Sequence, residues 1–280
     1  MKLSVIIPTL GREKQVNDLL ESLKEINNYK HEILIIDQNF NSLLDEIILK
    51  YQSIYNIIHY KVDFRSLSKA KNFGIEKASG QFICFPDDDS TLFRDTISKA
   101  LDLLENNSHY DIVFGKCVDE SGNDSVISFH KDPSELTLKN FEGKFIEATM
   151  FARTHILKEN FFDENLGIGS FFGAEEGYDL IYRLLLMDYN LFYTPNIKFS
   201  HPQTLTFHGD ISSLKRVYNY RKGYGYLCRK HKFYLKFAKR LVSVVGAIFF
   251  FLLLNFKKSK YYTVEACALI IGYLLNEKYD

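Results

Sequence analysis

The chain has 280 residues, 46% hydrophobic and 25% charged, with 35 Lys/Arg balanced by 35 Asp/Glu. That composition is globular, with enough apolar material to bury a full core in one large domain or in one domain with an appendage. Four cysteines, Cys84, Cys117, Cys228 and Cys267, lie far apart with no C-x-x-C pair, which argues against a zinc site or disulfide framework and fits a reducing cytosol.

The zero net charge hides a division. Residues 211–280 carry 14 Lys/Arg and 3 Asp/Glu, leaving 21 and 32 for residues 1–210, and between Ile211 and Tyr262 there are 13 basic residues and no acidic one. The reading is therefore a body over 1–210 and a basic, aromatic extension over 211–280. Because the positive charges of the extension flank apolar helices, it suits an anionic membrane surface better than nucleic acid.

The N-terminal run breaks at Pro8 and lacks the cleavage region of a signal peptide, so Leu3–Ile7 reads as a strand buried on both faces of a parallel sheet. Val16, Leu19, Leu20, Leu23 and Ile26 put one apolar face on the helix that follows. Glu32–Ile36 is a second strand ending in Asp37. Leu43, Leu44, Ile47 and Ile48 mark another helix, and Asn56–Val62 reads as a third strand. Ser66 caps a helix that Gly80 closes. A fourth strand, Gln81–Phe85, ends at Pro86 and delivers Asp87, Asp88 and Asp89.

Three adjacent carboxylates repel one another unless a cation or donors neutralise them. At the carboxyl end of a strand in an open α/β sheet they sit where ligands bind, and hard oxygen ligands suit Mg²⁺ or Mn²⁺. The competing reading is an acidic turn capping a helix that starts near Ser90 or Thr91. Beyond it, Asp111–Val118 and Ser125–Phe129 read as two strands around a turn at Glu120–Asn123, and Phe145–Phe151 as another. Phe161–Gly173 is a glycine-punctuated aromatic loop leading to Glu175, Glu176 and Asp179 at a helix start, where the helix dipole alone also favours acids. Leu191–Thr194 and Lys198–His201 are two short strands. In the extension, Ser212 or Ser213 caps a helix. The segments Phe237–Phe256 and Tyr261–Leu275 follow, the first with an apolar core of about fourteen residues against the roughly twenty that span a bilayer. Interfacial or re-entrant helices are the expectation, with two helices packed on the body or on a second subunit as the alternative.

Strands alternating with helices predict an α/β, doubly wound, Rossmann-like sheet. No glycine-rich phosphate loop is present. The ordered series Val5-Ile6-Ile7-Pro8-Thr9-Leu10-Gly11-Arg12, Ile35-Ile36-Asp37, Ala70-Lys71-Asn72-Phe73-Gly74-Ile75, Phe85-Pro86-Asp87-Asp88-Asp89-Ser90 and Glu176-Gly177-Tyr178-Asp179-Leu180 with Arg183 resembles the family 2 glycosyltransferases of GT-A fold. The resemblance covers roughly residues 3–205.

It implies a metal-dependent, inverting transfer from a nucleotide-diphosphate sugar, UDP-linked, to a glycan or lipid-linked saccharide of a bacterial surface polysaccharide. By the same resemblance Pro8, Thr9, Arg12, Lys71 and Asn72 belong to the donor site, and Asp37 accepts from the uracil ring. Asp87 and Asp89 end the D-x-D pattern. Asp87 and Asp88 are candidates for the ribose, and Asp89 with Asp87 for Mn²⁺ or Mg²⁺. His201, at a strand end, is a further metal-ligand candidate. Glu176 matches the general base, with Asp179 or Glu175 as substitutes. Gln38 stands where many relatives carry a second Asp, Lys71 where Arg is common, and Gly177 where many carry another acid. The location implied is cytoplasmic and peripheral at the inner face of the cell membrane. The competing functions are a sugar-phosphate nucleotidyltransferase, disfavoured by the single glycine of Pro8–Arg12, and a non-catalytic nucleotide- or membrane-binding module.

Overall fold

The computed structural model describes residues 1–203 and 210–275, with the side chain of Glu25 excepted; residues 204–209, and 276–280 at the end of the extension, lie outside the described residues. The first strand, β1 (Leu3–Thr9), is buried at every position, as its unbroken β-branched run requires. It is followed by α1 (Glu13–Ser22), β2 (His31–Asp37), α2 (Asp45–Gln52), β3 (Ile57–Lys61), α3 (Leu67–Lys77) and β4 (Phe82–Cys84). Then come β5 (Thr91–Leu92), α4 (Thr96–Asn106), β6 (Ile112–Val118), β7 (Ser134–Glu135), β8 (Met150–Arg153) and α5 (Thr154–Glu159). The chain continues through α6 (Glu176–Leu186), β9 (Leu191–Ser200), α7 (Ile211–Lys230), α8 (Tyr234–Leu254) and α9 (Phe256–Leu274).

The strands form one mixed sheet in the order β3-β2-β1-β4-β8-β6-β9-β5, with β7 paired to β9. Strands β3, β2, β1 and β4 are mutually parallel, whereas β8 runs antiparallel to both β4 and β6. The order reverses between β1 and β4. Their carboxyl ends therefore border the topological switch point, the place where open α/β sheets bind ligands. This is the doubly wound sheet that the strand–helix alternation predicts, and of the GT-A type that the resemblance implies.

Contacts divide the chain into two compact units. The first comprises Met1–Arg65, Lys69–Phe161 and Leu180–Thr204, and the second Ser66–Ser68, Phe162–Asp179 and Leu205–Asp280. A cut at 210 separates sheet from helices along the sequence, but the helical unit also takes in the glycine-rich loop and the acidic segment before α6.

Several expected elements differ. Ser125–Phe129 is no strand: Val126 has φ 69, and only Asp124 bridges back to Val118. Phe145–Phe151 contributes just the start of β8, because a 3-10 turn at Glu147–Thr149 precedes it. The two short strands expected at 191–194 and 198–201 are one, β9, with a register shift opposite Gly115. No helix starts at Ser90 or Thr91. Thr91–Leu92 pairs with β9 instead, and α4 begins after Asp95. Asp210, rather than Ser212 or Ser213, caps α7 by accepting from the Ser213 backbone N–H. The apolar core of the extension lies in a 21-residue helix, α8, whose best window has a mean hydropathy of 2.1. By length and composition it is long enough to cross a membrane, which the shorter run of apolar residues alone did not indicate.

Gly80 serves a different purpose from the expected helix stop. A Cβ there would lie 2.6 Å from the Ser4 backbone nitrogen, so only glycine lets the α3–β4 turn approach β1. The turn is stitched by buried Glu32. Its Oε1 accepts from Ser4 Oγ at 2.6 Å and from the Ser79 backbone N–H at 2.6 Å, while the Gly80 N–H donates to Ser4 Oγ at 2.8 Å. Gly80→Ala is expected to destabilise the protein by about 2 kcal/mol or more, because backbone on both sides must move. Urea unfolding midpoints measure this, and an unchanged midpoint would show that the turn has slack.

Candidate active site

At the carboxyl end of β1 the chain turns through Gly11, whose φ of 70 favours glycine. The Gly11 N–H donates to Asn39 Oδ1 at 2.8 Å, joining the turn after β1 to the turn after β2. Asn39 in turn donates its backbone N–H (2.9 Å) and its side-chain amide (2.7 Å) to Asp37 Oδ1. His59 Nε2 lies 2.9 Å from Asp37 Oδ2. Asp37 is fully buried and pairs in register with Thr9 on β1. Burial alone would push its carboxyl up, but the His59 and Asn39 hydrogen bonds outweigh that, and it is held below the ordinary Asp range.

The acidic triplet follows β4 on the other side of β1. Arg12 reaches over from the β1 turn. Its Nη1 lies 3.3 Å from Asp88 Oδ1 and makes a close ion pair with Asp89 Oδ2. His201, one residue past β9, brings Nε2 to 3.3 Å from Asp89 Oδ1 and 3.8 Å from Asp87 Oδ2. Its Nδ1 sits 2.8 Å from the Pro202 carbonyl oxygen, so Nδ1 carries a proton. Although burial lowers the imidazole pKa, the hydrogen bonds to Asp89 and Pro202 raise it overall, which favours a second proton on Nε2 toward the carboxylates. The His201 N–H donates to the Val118 carbonyl, and Ser125 Oγ donates to that of Pro202.

The three carboxylates are driven apart electrostatically. Burial pushes Asp87 up, with buried Lys71 pulling it down and Glu147 adding to the rise. Burial likewise pushes Asp88 up to about 6, against Thr9 and Arg12. The buried Thr9 hydroxyl faces Asp88 without a hydrogen bond of normal geometry. Asp89 goes the other way. Despite burial, the His201 and Arg12 hydrogen bonds bring it down to about 2. The crowd thus holds one firmly ionised member and two that resist ionisation, which is the state of a site short of positive charge.

One ligand atom each from Asp87, Asp89 and His201 lies within 4.8 Å of the others. Two carboxylates and an imidazole are a donor set that accepts Mn²⁺ or Mg²⁺, and the raised Asp87 fits a group that gains from a cation.

Of the expected site residues, Pro8, Thr9, Arg12, Asp37, Lys71, Asn72, Asp87, Asp88, Asp89 and His201 all belong to the first unit. Glu175, Glu176 and Asp179 belong to the second. There, buried Glu176 packs over Gly167, where an added Cβ would meet its Cδ at 3.2 Å. Glu175 holds φ 77, an uncommon conformation for a residue with a side chain. Asp179 is fully buried, with Oδ1 2.8 Å from both Lys230 Nζ and His231 Nε2. Sequence reasoning passed over Asn39, His59, Lys230 and His231. For His59 a signal existed: it stands two residues before the partner of Asp37 in the β2–β3 register, on the same face.

The sequence profile described as Glycosyl transferase family 2 matches residues 4–172, and with the GT-A sheet and acidic switch-point site this defines the class. The chain belongs to the family 2 glycosyltransferases and is an enzyme of that kind. It is 28% identical over 174 residues to the poly(ribitol-phosphate) beta-N-acetylglucosaminyltransferase TarS of Staphylococcus aureus, a match over 59% of this chain and 30% of that protein. It is 28% identical over 179 residues to the GalNAc(5)-diNAcBac-PP-undecaprenol beta-1,3-glucosyltransferase of Campylobacter jejuni, covering 59% of this chain and 56% of the other. The matched segment thus spans 30% of the first relative and 56% of the second. The crystal structure of residues 1–349 of S. aureus TarS superposes with a TM-score of 0.62 at 18% identity, covering 98% of this chain and 89% of that one. A mannosyltransferase from Pyrobaculum calidifontis in complex with GDP-Man and Mn²⁺ gives 0.63 at 12% identity, with 99% and 88% covered. These likenesses establish the fold.

The lowered Asp37 pKa has a consequence for acid stability. A depressed carboxylate contributes stability that is present above its unfolded pKa and is lost as pH falls through its folded value. Asp37→Asn should therefore lower stability at neutral pH and flatten the loss below about pH 4. Chemical denaturation across pH measures it; an unchanged acid limb would remove Asp37 from the account.

Proposed function

We propose that the chain is an inverting, metal-dependent glycosyltransferase that uses a UDP-sugar donor and a glycan or lipid-linked saccharide acceptor. The observation that carries this reading is the convergence of Asp87, Asp89 and His201 at the switch point, flanked by the Asp37 cluster. The names of relatives that act on ribitol-phosphate polymer and on an undecaprenol-linked saccharide support the surface-polysaccharide setting.

In this reading Asp37 accepts from the uracil ring, its orientation held by Asn39 and His59. Asp88 meets the ribose, and Lys71 supplies a point charge to the phosphates. Asp87, Asp89 and His201 would hold Mn²⁺ or Mg²⁺, which when bound offsets charge on the departing nucleoside diphosphate. Glu176 takes the proton of the acceptor hydroxyl on the sugar face opposite the leaving group, so configuration inverts.

The helical unit supplies the second half of the proposal: attachment to an anionic membrane surface at the cytoplasmic face. Helix α8 leaves Leu235, Val242, Phe249, Leu253 and Leu254 exposed, Leu253 at 94%. Its flanks are basic, with Lys236, Lys239 and Arg240 at one end and Lys257, Lys258 and Lys260 beyond the other. An apolar face bracketed by cations is the pattern of a helix that engages anionic headgroups.

UDP release from a panel of nucleotide sugars tests the chemistry. Activity should require Mn²⁺ or Mg²⁺ and fall by about 100-fold or more in Asp89→Ala; full turnover in excess EDTA would sink the metal role. For attachment, the full chain should sediment with phosphatidylglycerol vesicles, and less so as salt rises. Equal sedimentation with neutral vesicles would remove the electrostatic part, and none with either would end the membrane reading.

A further inference from the structure

The helices after residue 210 have so far been given only a membrane role, yet α7 is built against the acidic segment. Lys230, in the last turn of α7, places Nζ 2.5 Å from Asp163 Oδ2 and 2.8 Å from Asp179 Oδ1. One ammonium therefore ties together the beginning and the end of the segment that carries Glu175 and Glu176. Tyr226, one turn earlier, donates to the same Asp163 oxygen at 3.1 Å, and His231 Nε2 lies 2.8 Å from the same Asp179 oxygen.

Between these two ties the backbone is pressed against α7. The Gly173 N–H donates to the Asn219 carbonyl at 3.1 Å. A Cβ on Gly223 would stand 2.5 Å from the Ala174 carbonyl oxygen, and one on Gly173 would stand 2.9 Å from Asn219 Cβ. The next residue is Glu175, with its left-handed φ of 77. Strain of that kind persists only where surrounding structure over-determines it. Here the surroundings are the α7 backbone on one side and the Lys230 ties at both ends.

We infer that α7 is a working part of the transferase: Lys230, with His231, acts through Asp163 and Asp179 as a positioning clamp that fixes the Glu175–Glu176 carboxylates. Asp179 is then a positioning residue and not the base, because its Oδ1 is committed to Lys230 Nζ and His231 Nε2 in a fully buried place. A base needs a carboxylate oxygen within reach of the acceptor hydroxyl, and that role stays with the Glu175–Glu176 pair. This inference rests on the reading that proton abstraction belongs to the acidic segment.

The test uses the full chain and the donor identified by UDP release. Lys230→Met and Asp179→Asn should each lower kcat by about 10- to 100-fold, the scale of a misplaced reacting group. The KM for donor, and UDP affinity by calorimetry, should remain unchanged. The double variant should be no slower than the worse single one, since both remove the same tie. Lys230→Arg should recover most of the activity. Three results overturn the inference: wild-type kcat in Lys230→Met; multiplicative losses in the double variant; or a loss beyond about 1000-fold in Asp179→Asn with Lys230→Met unaffected, which would make Asp179 the base. If Lys230→Met fails to fold, Lys230→Arg and Asp179→Asn, which keep volume and polarity, carry the decision through the same kcat and KM split. Glu176→Gln separates this inference from the reading beneath it. Wild-type turnover there would remove the base assignment to Glu176, whereas the clamp is decided by the coupling of Lys230 and Asp179.

Discussion

Mutual repulsion among Asp87, Asp88 and Asp89 is the constraint around which the first unit is arranged. Three carboxylates on consecutive residues cannot all ionise in a partly buried turn without compensation. The compensation comes from separate parts of the chain: Arg12 from the turn after β1, Lys71 from α3, and His201 from the end of β9. Each of those elements must be in place before the triplet is tolerable. The site is therefore a readout of the whole sheet order β2-β1-β4-β8-β6-β9, and no isolated loop could reproduce it.

Compensation of the triplet is partial. Asp89 is stabilised as an anion by two donors, while Asp87 and Asp88 are held above their ordinary range. In the proposed metal role, a fully neutralised triplet would attract a cation less, and an uncompensated one would destabilise the turn. The arrangement lies between these limits. The second carboxylate cluster, around Asp37, is satisfied by Asn39 and His59 and so stays rigid, which suits a group that recognises a ligand by a directed hydrogen bond.

Much of this was legible in the sequence because strongly periodic or wholly apolar segments have few alternatives. The runs Leu3–Ile7 and Glu32–Ile36, and the Pro86 break followed by three acids, could hardly be read otherwise. What escaped depends on tertiary pairing. Ser125–Phe129 has strand composition but turns aside at Val126, and β9 reads as two pieces because its register shifts opposite Gly115. Gly80 resembles a helix stop, yet its purpose is the close approach to Ser4. The candidate site residues legible in the sequence were those whose chemistry is unusual where it stands, such as the triplet and Asp37. Lys230 and His231 are unremarkable in a tail already rich in cations, and only the fold shows which carboxylates they meet.

Glu265 is the sole acidic residue between 211 and 275. It is buried on α9, and its Oε1 takes both Arg221 of α7 and Arg240 of α8. Breaking such a buried pair leaves an uncompensated charge, so the carboxylate welds three helices into one piece. It also has an outward effect. The one negative charge of these helices is spent in their interior, and what they show to their surroundings is positive throughout. Such a field reaches roughly 8 Å through physiological salt. In the membrane attachment proposed above, the helices act as a rigid cationic float, whose hold on an anionic layer is set by ionic strength and lipid charge and leaves its internal shape unaltered.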